Sequence, residues 1–382
     1  MRLLVAATAT AILVTACSAV LEDEDPATAP VTTATTAVTP EQTSTSTAPS
    51  TAPTTEATES IRLLFTGDML PSDDLQAQAG RYAGGRGFDF MPMLAEVAPI
   101  VEAADWAICH QETPVSDDNA GLAGYPRFNA PRELAEDQRA IGFDACSTAS
   151  NHTVDLGMGG IQATLGTLDR VGIAHTGSAR SQTEYAKPMI YGVQGVHVGH
   201  VAYTYALNGL PSPAPWAVNL IDPPTVRADA ARLKQAGADI VVVSLHFGNE
   251  LDQVPSSYQG QVVDEIMQAP EVDLIVGHHA HVVQPIERRA DGRWVIFGLG
   301  NFLAQQSVYD ADLTPTHRDG VMVEVTFGPA ADGRYAIEQV GYVPTFVDAP
   351  SDVIRIAPDF SRARTEAALF ARDAPLVDLT PR

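Results

Sequence analysis

The sequence predicts an α/β protein with a largely parallel sheet at its start and a mixed or antiparallel sheet later. Three observations carry this prediction. Between residues 61 and 349, short apolar runs alternate with segments of helical apolar spacing, as in βαβ units. After about residue 294 the predicted strands follow one another closely, which favours antiparallel pairing. Clusters of Asp, Glu, Asn and His directly follow most of the predicted strands.

The first predicted strand, Ile61–Thr66, is apolar and ends at the turn-forming pair Gly67–Asp68. Later strands are equally short, and several are rich in β-branched residues. The predicted strands are 61–66, 106–109, 143–147, 197–203, 240–245, 274–276, 294–297, 321–327 and 336–343, the last two as neighbours. Proline at the first position supports several predicted helices. The predicted helices are 92–103, 131–141, 159–171, 224–236, 257–268 and 361–371.

The N-terminus predicts export and lipid anchoring. Residues 1–17 combine Arg2, the apolar run Leu3–Leu13 and small residues just before Cys17, and they resemble a bacterial lipoprotein signal peptide. Cys17 would then be the lipidated first residue of the mature protein, held at the cell membrane by several acyl chains. An ordinary signal peptide with an incidental cysteine is the alternative. We favour lipidation because the chain has only three cysteines.

Two further segments are expected to lie outside the main domain. Residues 18–60 begin with the acidic run Glu22–Asp25 and continue in Thr, Ala, Pro and Ser, which offer too little apolar surface to offset the ordering entropy. We therefore predict a disordered linker there. The main domain is predicted at 61–349, and residues 350–382 form a C-terminal extension.

The charge balance excludes some partners. Lys and Arg total 23 against 47 Asp and Glu, for a formal net charge of −24. Nucleic acid is excluded as a partner because phosphate binding needs clustered positive charge. An anionic substrate would be repelled unless arginines or bound cations reverse the local field.

Polar clusters interrupt the apolar pattern at six strand ends. They are Gly67–Asp68, His110–Glu112, Ser150–Asn151–His152 with Asp155, His246 with Glu250, Gly277–His281, and Gly298–Asn301. The carboxyl ends of parallel strands converge on one rim of a sheet, so these residues are expected to meet. Carboxylate, amide and imidazole ligands suit zinc, manganese or iron.

Each cluster taken alone has a structural explanation. Gly67–Asp68 fits an ordinary turn, Asn151 fits a helix cap and an isolated His246 fits a hydrogen-bonded core residue. Glu112 alone fits a solvated loop charge. The three histidines between Gly277 and His281 have no obvious packing use, and the recurrence at successive strand ends favours a metal site.

With these motifs assembled, the segment from 61 to 349 resembles the CapA-type capsule-synthesis proteins associated with poly-gamma-glutamate. They are a branch of the calcineurin-like metallophosphatase superfamily. The matching stretches are FTGDM at 65–69, ETP at 112–114, SNHTVDLG at 150–157, LHFGNE at 245–250, GHHAHV at 277–282 and GLGNF at 298–302. The resemblance implies a four-layer α/β sandwich with mixed β-sheets flanked by helices, and one or two divalent metal ions.

The resemblance also implies roles for single residues. The first metal would be held by Asp68 and His281, with Glu112 in the bridging position. Asn151, His246 and His279 would hold the second metal. His152 would act as general acid or transition-state stabiliser in phosphoester hydrolysis, oriented by Asp155.

This chain departs from the superfamily pattern at the first metal. The superfamily has His two residues after the first Asp, and this chain has Leu70 there. The usual bridging Asp is Glu112. His278 or His110 would be the substitute ligand, and Glu250 and Asn301 are additional candidates.

Four other residues complete the expectations. Cys109 and Cys146 lie near the ends of neighbouring strands and form either a disulfide, in an oxidising compartment, or two buried free thiols. Arg127 and Arg180 follow motif-bearing segments and are candidates for binding an anionic substrate, with ordinary surface arginine as the alternative.

Two functions compete. The first is an extracytoplasmic metal-dependent hydrolase in cell-envelope or capsule polymer assembly, acting on a phosphoester or a related acyl or amide bond. The second is a non-catalytic accessory protein that binds a polyglutamate-like polymer through metal ions and aids its export or retention. Expected partners are an anionic polymer or its precursor, the membrane through the lipid anchor, and a polymer synthase or export proteins. A plain solute-binding lipoprotein is a third hypothesis, and it predicts no effect of chelators.

Overall fold

The computed structural model describes residues 60–304 and 315–381. The predicted signal peptide, Cys17 and almost all of the predicted linker lie outside this part of the chain. The strands are β1 Ile61–Leu70, β2 Trp106–Gln111, β3 Ala145–Ser147, β4 Ala174–Thr176, β5 Ile190–Val193, β6 Val196–Thr204, β7 Ile240–His246, β8 Leu274–His278, β9 Ile286–Arg288, β10 Trp294–Ile296, β11 Asn301–Ala304, β12 Asp319–Pro329, β13 Tyr335–Asp348, β14 Val353–Ile356 and β15 Val377–Asp378. None of the helices in the described ranges has the length and apolarity to span a bilayer.

Helices connect these strands. They are α1 Asp73–Tyr82, α2 Met91–Leu94, α3 Ala98–Glu102, α4 Glu133–Ala140, α5 Gly157–Val171, α6 Gln182–Tyr185, α7 Pro223–Gln235, α8 Ser257–Ile266 and α9 Asp359–Leu369. Short 3₁₀ turns occupy Pro315–Arg318 and Phe370–Arg372. Most sequence-predicted elements therefore appear with boundaries shifted by a few residues.

Two mixed sheets form the centre of the domain. The first has the order β14-β13-β12-β1-β2-β3-β4, with β11 beside β1 and β15 beside β13. The second has the order β5-β6-β7-β8-β10-β9. Strands β1 to β4 are parallel, whereas β12, β13 and β14 pair antiparallel. The prediction of a parallel start and a later antiparallel portion is thus confirmed, including the pairing of the two long late strands.

Side-chain alternation along the strands explains the layers. Along β1, Leu63 and Phe65 point to a buried cluster that also contains Val198 and Val242 of the second sheet. Leu64, on the other face of β1, joins a cluster with helices α1 to α5. On the far face of the second sheet, Val241, Val243 and Ile275 pack with residues of α7 and α8. These three apolar interfaces separate four layers, which are helices, the first sheet, the second sheet and a second set of helices. This is the predicted four-layer sandwich.

The predicted helix at 92–103 is wrong as a single element. The structure has α2 and α3 in its place, separated at Ala95–Val97. Pro99 lies in the first turn of α3, where its missing N–H costs nothing, whereas inside one continuous helix its ring would clash with the preceding turn. A new helix start at this point relieves the conflict.

Residues after 349 add to the first sheet. Strand β14 pairs antiparallel with β13, and β15 pairs parallel with it. Helix α9 is anchored by Arg364 and Ser361, which donate to the buried carboxylate of Asp319 at the start of β12. The C-terminal segment therefore packs against the same sheet that carries part of the site.

Candidate metal centre

The carboxyl ends of strands from both sheets meet at one place. In the first sheet, Asp68 of β1 lies beside His110 of β2 and beside Asn301 of β11. In the second sheet, His246 of β7 lies beside His278 of β8. Residues that are far apart in sequence thus become neighbours because parallel strands all end at the same edge.

Close backbone packing sets the position of Asp68. A Cβ at Gly67 would lie 2.0 Å from the carbonyl oxygen of Gly300, so only glycine permits this approach of β1 to β11. The Asp68 amide then donates to the same Gly300 carbonyl at 3.0 Å. This close approach, which Gly67 permits, places the Asp68 carboxylate at the point where β1 meets β11.

Asp68 is surrounded by imidazoles. Its Oδ2 accepts a hydrogen bond from the His279 amide at 3.1 Å and lies 3.3 Å from Nδ1 of His281. Its Oδ1 lies 3.4 Å from Nδ1 of His278 and 4.0 Å from Nε2 of His110. His279 and His281 hold φ angles of 88° and 55°, a left-handed backbone that costs a non-glycine residue about 1–3 kcal/mol. The two residues with this strained backbone, His279 and His281, are also the ones that contact Oδ2 of Asp68.

Glu112 forms the other carboxylate of the cluster. Its Oε1 lies 3.6 Å from Nε2 of His281 and 3.9 Å from Nε2 of His246. His246 Nε2 also lies 2.8 Å from Oδ1 of Asn151, and the His246 and His279 ring centroids are 4.7 Å apart. Glu112 and Asn151 thus both approach Nε2 of His246, whose ring lies next to the ring of His279.

Burial dominates the electrostatics here. It lowers the pKa of His279 to about 3 and the pKa values of His110 and His246 well below the ordinary range, so these rings are neutral and keep lone pairs. It also raises the pKa of Glu112. Burial opposes protonation of His281, but Glu112 and Asp68 outweigh it and raise its pKa to about 10. The two carboxylates therefore favour positive charge between them.

Several buried polar atoms of the cluster lack a hydrogen bond, and this indicates whether metal ions fit there. Five such atoms converge here, with no hydrogen-bond partner in the described part of the chain: Asp68 Oδ1, both Glu112 carboxylate oxygens, and Nδ1 of His278 and His279. Such groups cost free energy unless something binds them. Three sets of residues each bring one ligand atom per residue within 4.8 Å of the others: Asp68–His110–His278, Asp68–Glu112–His281 and Glu250–His279–His281. Oxygen and imidazole donors at this spacing fit divalent zinc, manganese or iron.

A histidine–aspartate pair borders the cluster. His152 Nδ1 lies 2.8 Å from Oδ2 of Asp155, which also accepts from the Phe128 amide at 2.8 Å. The Phe128 ring meets the His152 ring edge to face, with centroids 4.8 Å apart. Asp155 thereby fixes the ring orientation and leaves Nε2 of His152 as the nitrogen available to a ligand.

An open cavity of about 330 Å³ adjoins this pair. It is lined by Tyr125, Pro126, Arg127, Asn151, His152, Asp155, Asn208, Leu210 and Glu250. Arg127 is exposed there and has no hydrogen bond or ion pair within residues 60–304 and 315–381. Its guanidinium is therefore available to an anion.

The structure brings together most of the residues singled out from the sequence. They are Asp68, His110, Glu112, Asn151, His152, Asp155, His246, His278, His279, His281 and Asn301. Glu250 is an exposed residue at the rim, and Arg127 lines the cavity. Arg180 does not line the cavity, and its guanidinium pairs with Asp169 and Glu184.

Sequence reasoning missed three contributors. Ser147 lies 2.7 Å from Nδ1 of His110, the Tyr205 ring packs 4.6 Å from the His279 ring, and Asn208 accepts from Asn151. Ser147 ends β3 and Tyr205 follows β6, so both lie at strand ends like the other site residues. Cys109 and Cys146, beneath the site, are cross-strand partners joined by a disulfide, with Cα atoms 4.5 Å apart.

The fold and the site define the class: an α/β protein of two packed mixed sheets, with a candidate metal centre of histidines and carboxylates at the carboxyl ends of their strands. Comparison with known families then gives the membership. The model of the bacterial capsule synthesis protein family PGA_cap matches residues 62–306, and the chain belongs to this family.

Two curated relatives carry related names. The chain is 29% identical over 254 residues to the PGA biosynthesis protein CapA of Bacillus subtilis (strain 168), covering 64% of this chain and 63% of the relative. It is 26% identical over 281 residues to the capsule biosynthesis protein CapA of Bacillus anthracis, covering 70% and 64%. The chain therefore spans a little under two thirds of the length of these relatives.

The solved structures to which the chain is similar are more distant in sequence. A 5'-nucleotidase precursor from Thermus thermophilus has a TM-score of 0.47 and 15% identity, covering 81% of this chain and 58% of that one. The calcineurin-like phosphoesterase YfkN from Bacillus subtilis has a TM-score of 0.43 and 14% identity, covering 80% and 95%. We draw no functional conclusion from likeness at this level.

Proposed function

We propose that this protein is an extracytoplasmic, metal-dependent hydrolase of capsule or cell-envelope polymer assembly. The observation that carries the proposal is the convergence of five unpaired buried ligand atoms beside an Asp-oriented histidine. A passive binding site needs no proton donor, so the His152–Asp155 pair favours hydrolysis over simple retention of a polymer. The bond to be cleaved is a phosphoester or a related acyl or amide bond.

Each residue has a task in this proposal. Divalent ions held by Asp68, Glu112 and the neighbouring imidazoles would supply Lewis acidity toward a phosphoryl or carbonyl oxygen. Asp155 holds the His152 ring so that Nε2 faces the substrate side and exchanges a proton with the leaving group. Burial of the cluster strengthens every charge interaction within it.

The substrate we propose is anionic, such as a poly-gamma-glutamate-like polymer or its precursor. The net charge of −24 repels such a molecule at long range. The unpaired Arg127 guanidinium and the cations of the cluster would reverse the field locally. Arg127 would bind the anionic group next to the bond being cleaved.

The setting of this activity follows from the family and the N-terminus. Capsule polymers lie outside the cytoplasm, and residues 1–17 resemble a lipoprotein signal with Cys17 as the lipidated residue. We propose anchoring to the cell membrane, close to a polymer synthase or export proteins. Palmitate labelling of the expressed chain, compared with Cys17→Ser, tests the anchor.

Turnover of a generic phosphodiester by the full-length protein tests the enzyme. We expect hydrolysis with manganese or zinc, loss of hydrolysis with a chelator, and a loss of about 10²–10⁴-fold in His152→Ala. Retention of a polyglutamate polymer that depends on metal, without turnover, supports the accessory function instead. Identical behaviour with and without chelator contradicts both.

A further inference from the structure

We propose that Nδ1 of His278 binds the cation held by Asp68. The proposal rests on the proposed metal-dependent function and adds a ligand to it. Leu70 offers no donor atom and is packed in an apolar cluster with Phe128 and Ala304. Strand β1 contains no histidine, so an imidazole ligand beside Asp68 must come from another strand.

His278 has the geometry for this. It ends β8, and its Nδ1 lies 3.4 Å from Oδ1 of Asp68. Its side chain is 4% exposed, and both Nδ1 and that Asp68 oxygen have no hydrogen-bond partner in the described part of the chain. Two buried atoms that face each other at this distance without a hydrogen bond can be bound together by one cation.

His110 is the other candidate ligand, but both of its ring nitrogens already have polar partners. Its Nδ1 lies 2.7 Å from the hydroxyl of Ser147, and its Nε2 lies 2.9 Å from Nδ1 of His246. The ring is stacked on His278, with centroids 4.1 Å apart and planes at 14°. His110 thus acts as a positioning residue that holds the His278 ring flat against it, and His278 supplies the free nitrogen.

Zinc binding to the full-length chain tests the assignment. In wild type labelled with ¹⁵N-histidine, we expect added Zn²⁺ to shift the Nδ1 resonance of His278 to the position of a coordinated nitrogen. In His278→Phe, which keeps the aromatic stack, calorimetric titration should show one zinc equivalent weakened by more than the ~100-fold that loss of an outer-shell partner causes. In His110→Phe, which removes only the positioning ring, we expect the wild-type number of bound ions and an affinity loss of no more than ~100-fold.

The outcomes are distinguishable. If wild type binds zinc and the His278 Nδ1 resonance does not move, the assignment is refuted while the metal site stands. Unchanged zinc binding in His278→Phe refutes it as well. If wild type binds no divalent ion at all, the proposed function fails together with this inference. Thermal unfolding in chelator separates loss of zinc from loss of fold, and the resonance that is missing from the His278→Phe spectrum assigns His278 in wild type.

Discussion

Asn301 controls which nitrogen of His281 can bind a cation. Its Nδ2 donates to the backbone carbonyl of His317 at 2.7 Å, and this contact determines the orientation of the amide. Its Oδ1 then faces Nδ1 of His281 at 2.9 Å and accepts a hydrogen bond from it. When a cation displaces the Nε2 proton, His281 would keep its hydrogen on Nδ1 and present Nε2 on the side of Glu112, 3.6 Å away.

Asn301→Leu removes both hydrogen bonds at a buried position. Loss of a buried partner costs about 1–3 kcal/mol for each group. The cost at His281 falls at the lower end because Asp68 Oδ2 remains 3.3 Å from the same nitrogen. We therefore expect a loss of roughly 2–4 kcal/mol in the free energy of unfolding, from the same per-group cost. Zinc or manganese affinity should fall by about 10–100-fold because the ring is no longer held.

Two measurements on the full-length protein check this prediction. Urea unfolding in chelator gives the stability change, and calorimetric titration with Zn²⁺ gives the affinity. Asn301→Asp serves as the comparison, since it keeps an acceptor for His281, loses the donor to His317 and adds a negative charge that attracts zinc. It should retain more zinc affinity than Asn301→Leu. Wild-type zinc affinity in Asn301→Leu would refute the claim that Asn301 positions the ring.

Two further predictions concern stability. Gly67→Ala should destabilise the domain by more than about 1–3 kcal/mol in urea unfolding, because its Cβ would meet the Gly300 carbonyl at 2.0 Å. Gly166→Ala, in α5 with nothing within 4 Å of the new Cβ, should instead stabilise it by about 1 kcal/mol. Burial lowers the pKa of His200 to about 3, below the unfolded value of 6.5, so its stabilising contribution is complete above pH 6.5 and is lost as the pH falls toward 3. Urea unfolding between pH 7 and 4 should therefore show a shallower acid loss in His200→Gln than in wild type, and equal slopes would contradict this.

Several elements could not be predicted from local pattern. Helix α1 has few apolar residues, and its signals are the Ser72 cap, two acids in the first turn and Arg81 in the last. Strands β4, β9 and β11 have three or four residues each and exist because neighbouring strands pair with them. Such elements owe their conformation to tertiary contacts, which a periodicity of two or 3.6 residues does not reveal.

The sequence alone determined the fold class, the family and the strand ends at which the polar residues gather. Strand ends are encoded locally, by an apolar run that stops at Gly, Asp, Asn or His, and parallel strands bring such ends together by a general rule. Distances and hydrogen-bond partners were decided only by the tertiary structure. His110 and His278 were equal candidates in the sequence. The structure shows that both ring nitrogens of His110 have polar partners, whereas Nδ1 of His278 faces Asp68 without a hydrogen bond. Arg127 and Arg180 were likewise equal candidates for binding an anion. The fold places Arg127 at the cavity and Arg180 in an ion-pair network. The sequence could not separate them because contacts between distant residues have no local signature.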